Sequence, residues 1–262
     1  MKTKQHREIY NKNLLHPWGD LSELGNDDSS SVIVKGDGIY IFDSDGNRMI
    51  DGPAGMWCMQ TGYGRREIAD AVSQQMLNLS YATSFTLINN KETELAKRIS
   101  ENTPGDLNRI YFTTGGSTAV DSALRLCQLA NNIKGKNTKK QILTREKAYH
   151  GSTYLSASVT GKERDKTAMD VKKDGIHFLS APCHFYFPQF TSEGEFCDFL
   201  INELEEKIVE VGPENIMAFI AEPILASGGV IVPPKNYFYR CWQTIKKHDI
   251  VFIADEVVTA FG

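Results

Sequence analysis

Apolar and polar residues alternate through positions 32–51, interrupted by Asp43-Ser44-Asp45-Gly46-Asn47. Alternation of period two around an Asp-Gly turn predicts a small antiparallel meander. From Arg66 the period lengthens. Ile68, Ala71, Val72, Gln75, Met76 and Leu79 share one face of a helix. A second helix over 91–101 places Leu95, Ala96 and Ile99 inward, and the connection between the two carries Tyr81 and Phe85. Further on, 109–114 and 141–145 read as strands. After the first, a Gly115-Gly116-Ser117-Thr118 turn leads into a helix marked by Ala119, Val120, Ala123, Leu124, Cys127 and Ala130. Another helix starts at Ser192 or Glu193, follows Phe196, Phe199, Leu200, Leu204 and Ile208, and stops at Gly212-Pro213.

The last third reads as a β-α-β unit: strand 216–221, helix 237–248 and strand 250–255. Both strands are apolar enough to be buried on both faces. Parallel strands would bring Glu222 and Asp255 to corresponding ends, on the edge where open α/β sheets bind their ligands. Residues 1–31 are polar and read as irregular, with a turn at His16-Pro17-Trp18-Gly19. The change from strands to long helices, through the glycine-rich stretch 52–64, sets the expected domain boundary: 1–51 and 52–262.

Composition narrows the function classes. The 262 residues are 41% hydrophobic and 24% charged, as in a globular protein. A formal net charge of −4 offers no basic field for nucleic acid. No apolar run approaches the roughly 20 residues that span a bilayer, and the charged N-terminus does not read as a signal peptide. A cytoplasmic protein without membrane or nucleic-acid partners is expected. The five cysteines are scattered without a C-x-x-C spacing, so neither a zinc site nor a disulfide framework is expected.

Four stretches carry candidate chemistry. A strand, a Gly-Gly-Ser turn and a helix make an anion cradle, in which backbone N–H groups and the helix dipole favour a phosphate. A plain turn capped by Ser117 is the alternative. Tyr149 and His150 would stand near a sheet edge, the one able to stack on a flat heterocycle and the other to orient or relay protons. Trp57 lies on the glycine-rich loop and would line a pocket or wedge between domains. Glu222 and Asp255 suit a metal, paired acid–base work, or a cationic heterocycle.

Taken in order, these stretches resemble the class III, or ω-, aminotransferases of the fold-type I pyridoxal-phosphate enzymes. The matching residues are Phe112-Thr113-Thr114-Gly115-Gly116-Ser117 with Ala119-Val120-Asp121, Tyr149-His150-Gly151-Ser152-Thr153, Ala221-Glu222-Pro223 with Gly228-Gly229, and Ala254-Asp255-Glu256-Val257. Asp51-Gly52 and Trp57 through Gly62-Tyr63-Gly64-Arg65 extend the likeness over nearly the whole chain. The resemblance implies an α/β fold: a large domain with a mixed, mostly parallel sheet and flanking helices, plus the N-terminal part of a small α+β domain. It implies pyridoxal 5′-phosphate as cofactor. Gly116 and Ser117 would hold the phosphate, Tyr149 and Val257 would face the ring, Asp255 would pair with the ring nitrogen, Glu222 would lie near the ring hydroxyl, and His150 would orient its neighbours. Trp18, Trp57 and Phe85 would line the substrate pocket, with Phe85 reaching across a homodimer. The substrates would be a primary amine or ω-amino acid and a keto acid such as pyruvate.

The sequence also departs from the family pattern. Thr118 stands where most relatives carry Glu, and Ala260 where they carry Gly. The family's Schiff-base lysine follows the Asp-Glu-Val motif at a distance that places it beyond Gly262. The chain therefore reads as an N-terminal portion, inactive alone, whose 32–51 meander keeps an exposed face. Two other outcomes stay open: a non-catalytic cofactor-binding or dimerisation protein, and an aminomutase or decarboxylase of the same fold.

Overall fold

The computed structural model describes residues 3–15, 25, 30–167 and 169–261, and the chain divides at Asn108/Arg109 into two compact units. The boundary expected from composition, at 51/52, falls inside the first unit.

The first unit contains α1 (Thr3–Asn13), β1 (Ile33–Asp37), β2 (Tyr40–Asp43), β3 (Arg48–Ile50), α2 (Ala54–Trp57), α3 (Arg66–Asn78) and α4 (Asn90–Ser100). The strands form the expected antiparallel sheet in the order β1-β2-β3. Asp43 builds its second turn: Oδ1 accepts from the N–H groups of Asp45 and Asn47 at 3.0 and 2.8 Å. Ile33, Val34, Ile39 and Ile50 are exposed. α1 corrects the irregular reading of the N-terminal residues. Lys, Gln, Arg and Glu are good helix formers, but without an apolar stripe they gave no periodic signal. α2 is one turn with left-handed backbone, φ running from 48° at Ala54 to 65° at Trp57. α3 and α4 form where the period places them. Leu95, expected inward, is exposed, while Ala96 and Ile99 are half-buried.

The second unit contains α5 (Gly116–Ile133), β4 (Gln141–Arg145), α6 (Tyr154–Val159), β5 (Ile176–Leu179), α7 (Glu193–Val211), β6 (Ile216–Ala221), α8 (Tyr237–Lys246) and β7 (Val251–Ala254). Its sheet is parallel throughout, in the order β5-β4-β6-β7. Helices cover both faces. Phe196, Leu200, Leu204 and Ile208 of α7 join Tyr237, Cys241 and Ile245 of α8 over Leu143 and Phe219. Val120 and Leu124 of α5 join Val159 over Ile142, Ala218 and Ile220. Every residue of β6 is buried, as a central parallel strand requires. α7 starts where Ser192 and Glu195 exchange side-chain-to-backbone bonds, a capping box.

Three readings change here. Residues 109–114 do not form a strand: among the described residues they have no ladder partner, and a strand exists only through pairing. β7 is not buried on both faces, because it is an outer strand of the ladder; Val251 is exposed and Phe252 and Ile253 are half-buried. β5 and α6 went unseen. Each is short, and His177 interrupts the apolar run of β5.

Candidate active site

The loops at the carboxyl ends of β4, β6 and β7, together with the start of α5, bring most of the expected site residues of this unit together. β6 and β7 run parallel with Ala221 opposite Ala254, so Glu222 and Asp255 leave the sheet side by side, and Asp255 N–H donates to the Ala221 carbonyl at 2.9 Å. The loop after β4 supplies a partner to each carboxylate. His150 Nδ1 lies 2.7 Å from Asp255 Oδ2, with both side chains buried. Tyr149 N–H donates to Glu222 Oε1 at 2.9 Å. Ala226 N–H donates to the other oxygen, Oε2, at 3.2 Å, so the Glu222 carboxylate pins two loops at once. Burial pushes the Glu222 carboxyl above its ordinary value; the Tyr149 N–H, His150 and Arg145 act in the opposite sense.

Asp255 is held on both oxygens, since Oδ1 accepts from Val257 N–H at 3.2 Å. Val257 in turn stands against the start of α5: a Cβ built on Gly116 would lie 3.2 Å from its side chain. The same helix start is clasped from the β4 side. Ser117 Oγ accepts from Ser152 N–H at 3.0 Å, Thr153 Oγ1 donates to the Ser117 carbonyl at 3.4 Å, and Asp121 Oδ1 accepts from Ser156 N–H at 2.8 Å. Gly151 permits this contact. Its φ is +130°, and a Cβ there would fall 2.5 Å from Ser117 Oγ.

Tyr149 is half-buried, and burial raises its phenol pKa. Lys162 Nζ lies 5.6 Å from the Tyr149 ring centroid, held by Ser227 Oγ at 2.8 Å and Asp165 at 3.1 Å. Trp57 and Phe85 lie in the first unit, Phe85 almost fully exposed, and Trp18 is outside the described residues. Among the described residues no cluster of His, Cys, Asp or Glu could hold a metal, and no helix is long and apolar enough to cross a membrane.

A model of the class III aminotransferases matches residues 23–262. The chain belongs to the class III aminotransferase family. It is 38% identical to the putrescine–pyruvate aminotransferase of Pseudomonas aeruginosa, covering 100% of this chain and 57% of that one. It is 41% identical over 88% of its length to the mitochondrial γ-aminobutyrate transaminase 1 of Oryza sativa subsp. indica, covering 45% of that protein. Among solved structures, an (S)-enantioselective ω-transaminase from Thermomicrobium roseum superposes with a TM-score of 0.96 at 35% identity, over 100% of this chain and 58% of that one. The ω-transaminase of Pseudomonas jessenii in complex with PMP gives 0.93 at 35% identity, over 98% and 57%. The chain thus spans about half the length of the relatives it matches. These neighbours are fold-type I transaminases, which is the α/β class read from the sequence.

Class III aminotransferases are pyridoxal-phosphate enzymes, and the residues present fit that group. α5 begins without an acidic residue in its first turn, and its first N–H groups have no partner within the helix. A Cβ on Gly115 would meet nothing within 4 Å, so there is open space at the helix start. Asp255 supplies a carboxylate for a cationic nitrogen, and the buried Nε2 of His150 has no partner among the described residues. Thr118 donates from Oγ1 to the Gly115 carbonyl at 2.8 Å and closes the turn. Arg145, Lys162 and Thr160, whose Oγ1 accepts from His150 N–H at 2.9 Å, carry no motif in the sequence that marks them as site residues. Arg145 carried a usable signal: like Glu222 and Asp255, it is a charged residue at the end of an apolar strand.

Proposed function

We propose that this unit holds pyridoxal 5′-phosphate for transfer of an amino group from a primary amine or ω-amino acid to a keto acid such as pyruvate. The observation that carries the reading is the Asp255 carboxylate, oriented by His150 at the end of β7 and linked through Val257 to the start of α5. Two relatives bear names with ω-amines as donors, putrescine and γ-aminobutyrate, and one of those names specifies pyruvate.

The bound cofactor supplies an electron sink for loss of a proton from the substrate carbon that bears nitrogen. The chain's own residues set up that chemistry. Gly116 and Ser117 would hold the phosphate with N–H groups at the positive end of α5. Asp255 would pair with the ring nitrogen and favour its protonated form, since an anion within about 4–6 Å stabilises a cationic neighbour. His150, buried behind it, keeps that carboxylate in one orientation and water away from it. Tyr149 and Val257 would face the ring, and Glu222, which fixes the backbone of Tyr149, would stand on its hydroxyl side. Trp18, Trp57 and Phe85 serve the amine. The working form is a homodimer to which Phe85 contributes from each copy; exposed Phe85 and Ile88 support this, and sedimentation as two chains tests it. Five unpaired cysteines fit a reducing cytoplasm.

The test is formation of alanine from pyruvate with β-alanine, taurine or a diamine as donor, in protein that carries this unit together with a Schiff-base lysine and is supplied with the cofactor. Alanine formed in step with donor loss supports transamination. An isomerised amine, or carbon dioxide released without keto acid, indicates an aminomutase or decarboxylase. Cofactor binding without turnover indicates a non-catalytic partner.

A further inference from the structure

Arg145 ends β4 and is fully buried. Its guanidinium is always charged and carries five N–H donors. Nη2 donates to the backbone carbonyl of Glu222. Nε and Nη1 have no hydrogen-bond partner among the described residues, and the group lies 5.9 Å from the ring centroid of Tyr237 on α8. Tyr237 is itself fully buried, with its phenol pKa pushed far up by desolvation and drawn back by the charge and N–H groups of Arg145, so the cation meets a neutral phenol, ring and hydroxyl together.

A buried cation with so few partners is unfavourable, and an apolar side chain of similar volume is often at least as stable. What an apolar residue cannot do is grip the Glu222 carbonyl or oppose the Glu222 charge. Glu222 stands one residue past β6, and its two carboxylate oxygens hold Tyr149 and Ala226. We propose that Arg145 is a positioning residue: it fixes the Glu222 backbone where β6 ends, so that the Glu222 carboxylate seats Tyr149 and the loop at Ala226. The consequence for function rests on the reading that Tyr149 flanks a cofactor ring. The groups that bear on Glu222 are Arg145 from β4, Tyr149 and His150 from the loop after it, and Asp255 from beyond β7. Of these, Arg145 is the one bound to the Glu222 main chain.

The test is residue-resolved amide hydrogen exchange on cofactor-free protein, comparing Tyr149 with Phe219 in the centre of β6. Arg145→Met is expected to speed exchange at Tyr149 by at least about tenfold more than at Phe219, because the opening is local. Combined with Glu222→Gln it should add little beyond Glu222→Gln alone, since both act through one contact. Equal acceleration at the two amides, or effects that multiply in the double variant, would overturn the proposal. Should Arg145→Met not fold, Arg145→Lys, which keeps the charge but not the planar fork, is read the same way and should fall between. Failure of the cofactor reading shows separately, as wild-type protein that does not bind pyridoxal phosphate while the exchange ratio still responds to Arg145.

Discussion

His150 Nδ1 and Asp255 Oδ2 lie 2.7 Å apart, buried, joining the loop after β4 to the end of β7. Removing one partner of a buried pair leaves the other without compensation, at about 3–5 kcal/mol. His150→Ala should destabilise the protein by that order. Asp255→Asn added to it should recover part of the loss, because no charge is then stranded. Urea denaturation of the wild type and the two variants reads both numbers. A loss from His150→Ala within experimental error would show that the pair contributes nothing to the fold.

Two glycines on either side of the start of α5, Gly115 before it and Gly151 in the loop after β4, separate fold from binding. Gly151→Ala places a Cβ 2.5 Å from Ser117 Oγ at φ +130°, and should cost about 1–3 kcal/mol in backbone strain alone. Gly115 has extended backbone, φ 172°, and open space around the new Cβ. Gly115→Ala should therefore melt like the wild type yet bind pyridoxal phosphate more weakly, by about tenfold or 1.4 kcal/mol. Unchanged affinity in Gly115→Ala would remove the start of α5 from the binding site.

Glu222 gives the stability a defined pH dependence. Its folded pKa is raised above 4.5 by burial, so the native state binds the proton more tightly than the unfolded chain. Its contribution is then fully present below about 4.5 and is lost as pH rises through the raised value. The stability difference between wild type and Glu222→Gln should fall across that window and stay flat above it. Denaturant titrations from acid to neutral pH check this, and a difference rising with pH would reverse the assignment.

Much of this site was legible because its chemistry sits at strand ends. Glu222 and Asp255 each close an apolar run, and the shared polarity of β6 and β7 follows from the β-α-β pattern. The Asp255–His150 pair was not legible, since it depends on β4 lying next to β6, a neighbour relation that no local period encodes. The same limit explains 109–114: its composition is that of a strand, but pairing decides, and among the described residues it has no ladder partner. α1 was hidden for the opposite reason, as a helix without an apolar face. Arg145 was read as the last residue of a strand, and only the fold shows it reaching the Glu222 carbonyl.

Cysteine reactivity should follow burial. Desolvation pushes the Cys241 thiol up to about 12 and raises that of Cys197 as well, while Cys58 is exposed. The thiolate is the reactive form, so alkylation of native protein should modify Cys58 first and spare Cys197 and Cys241 until unfolding. Mass mapping of the labelled sites checks the order. Rapid labelling of Cys241 in folded protein would contradict the packing of α8 against the sheet.

The most direct measurement is equilibrium binding of pyridoxal 5′-phosphate to the wild-type protein and to Asp255→Asn. Saturable binding of one molecule per chain, weakened about tenfold or more by the loss of the Asp255 charge, is the expected result. Absence of saturable binding, or equal affinity in the two proteins, would contradict the assignment of this sheet edge as a cofactor site.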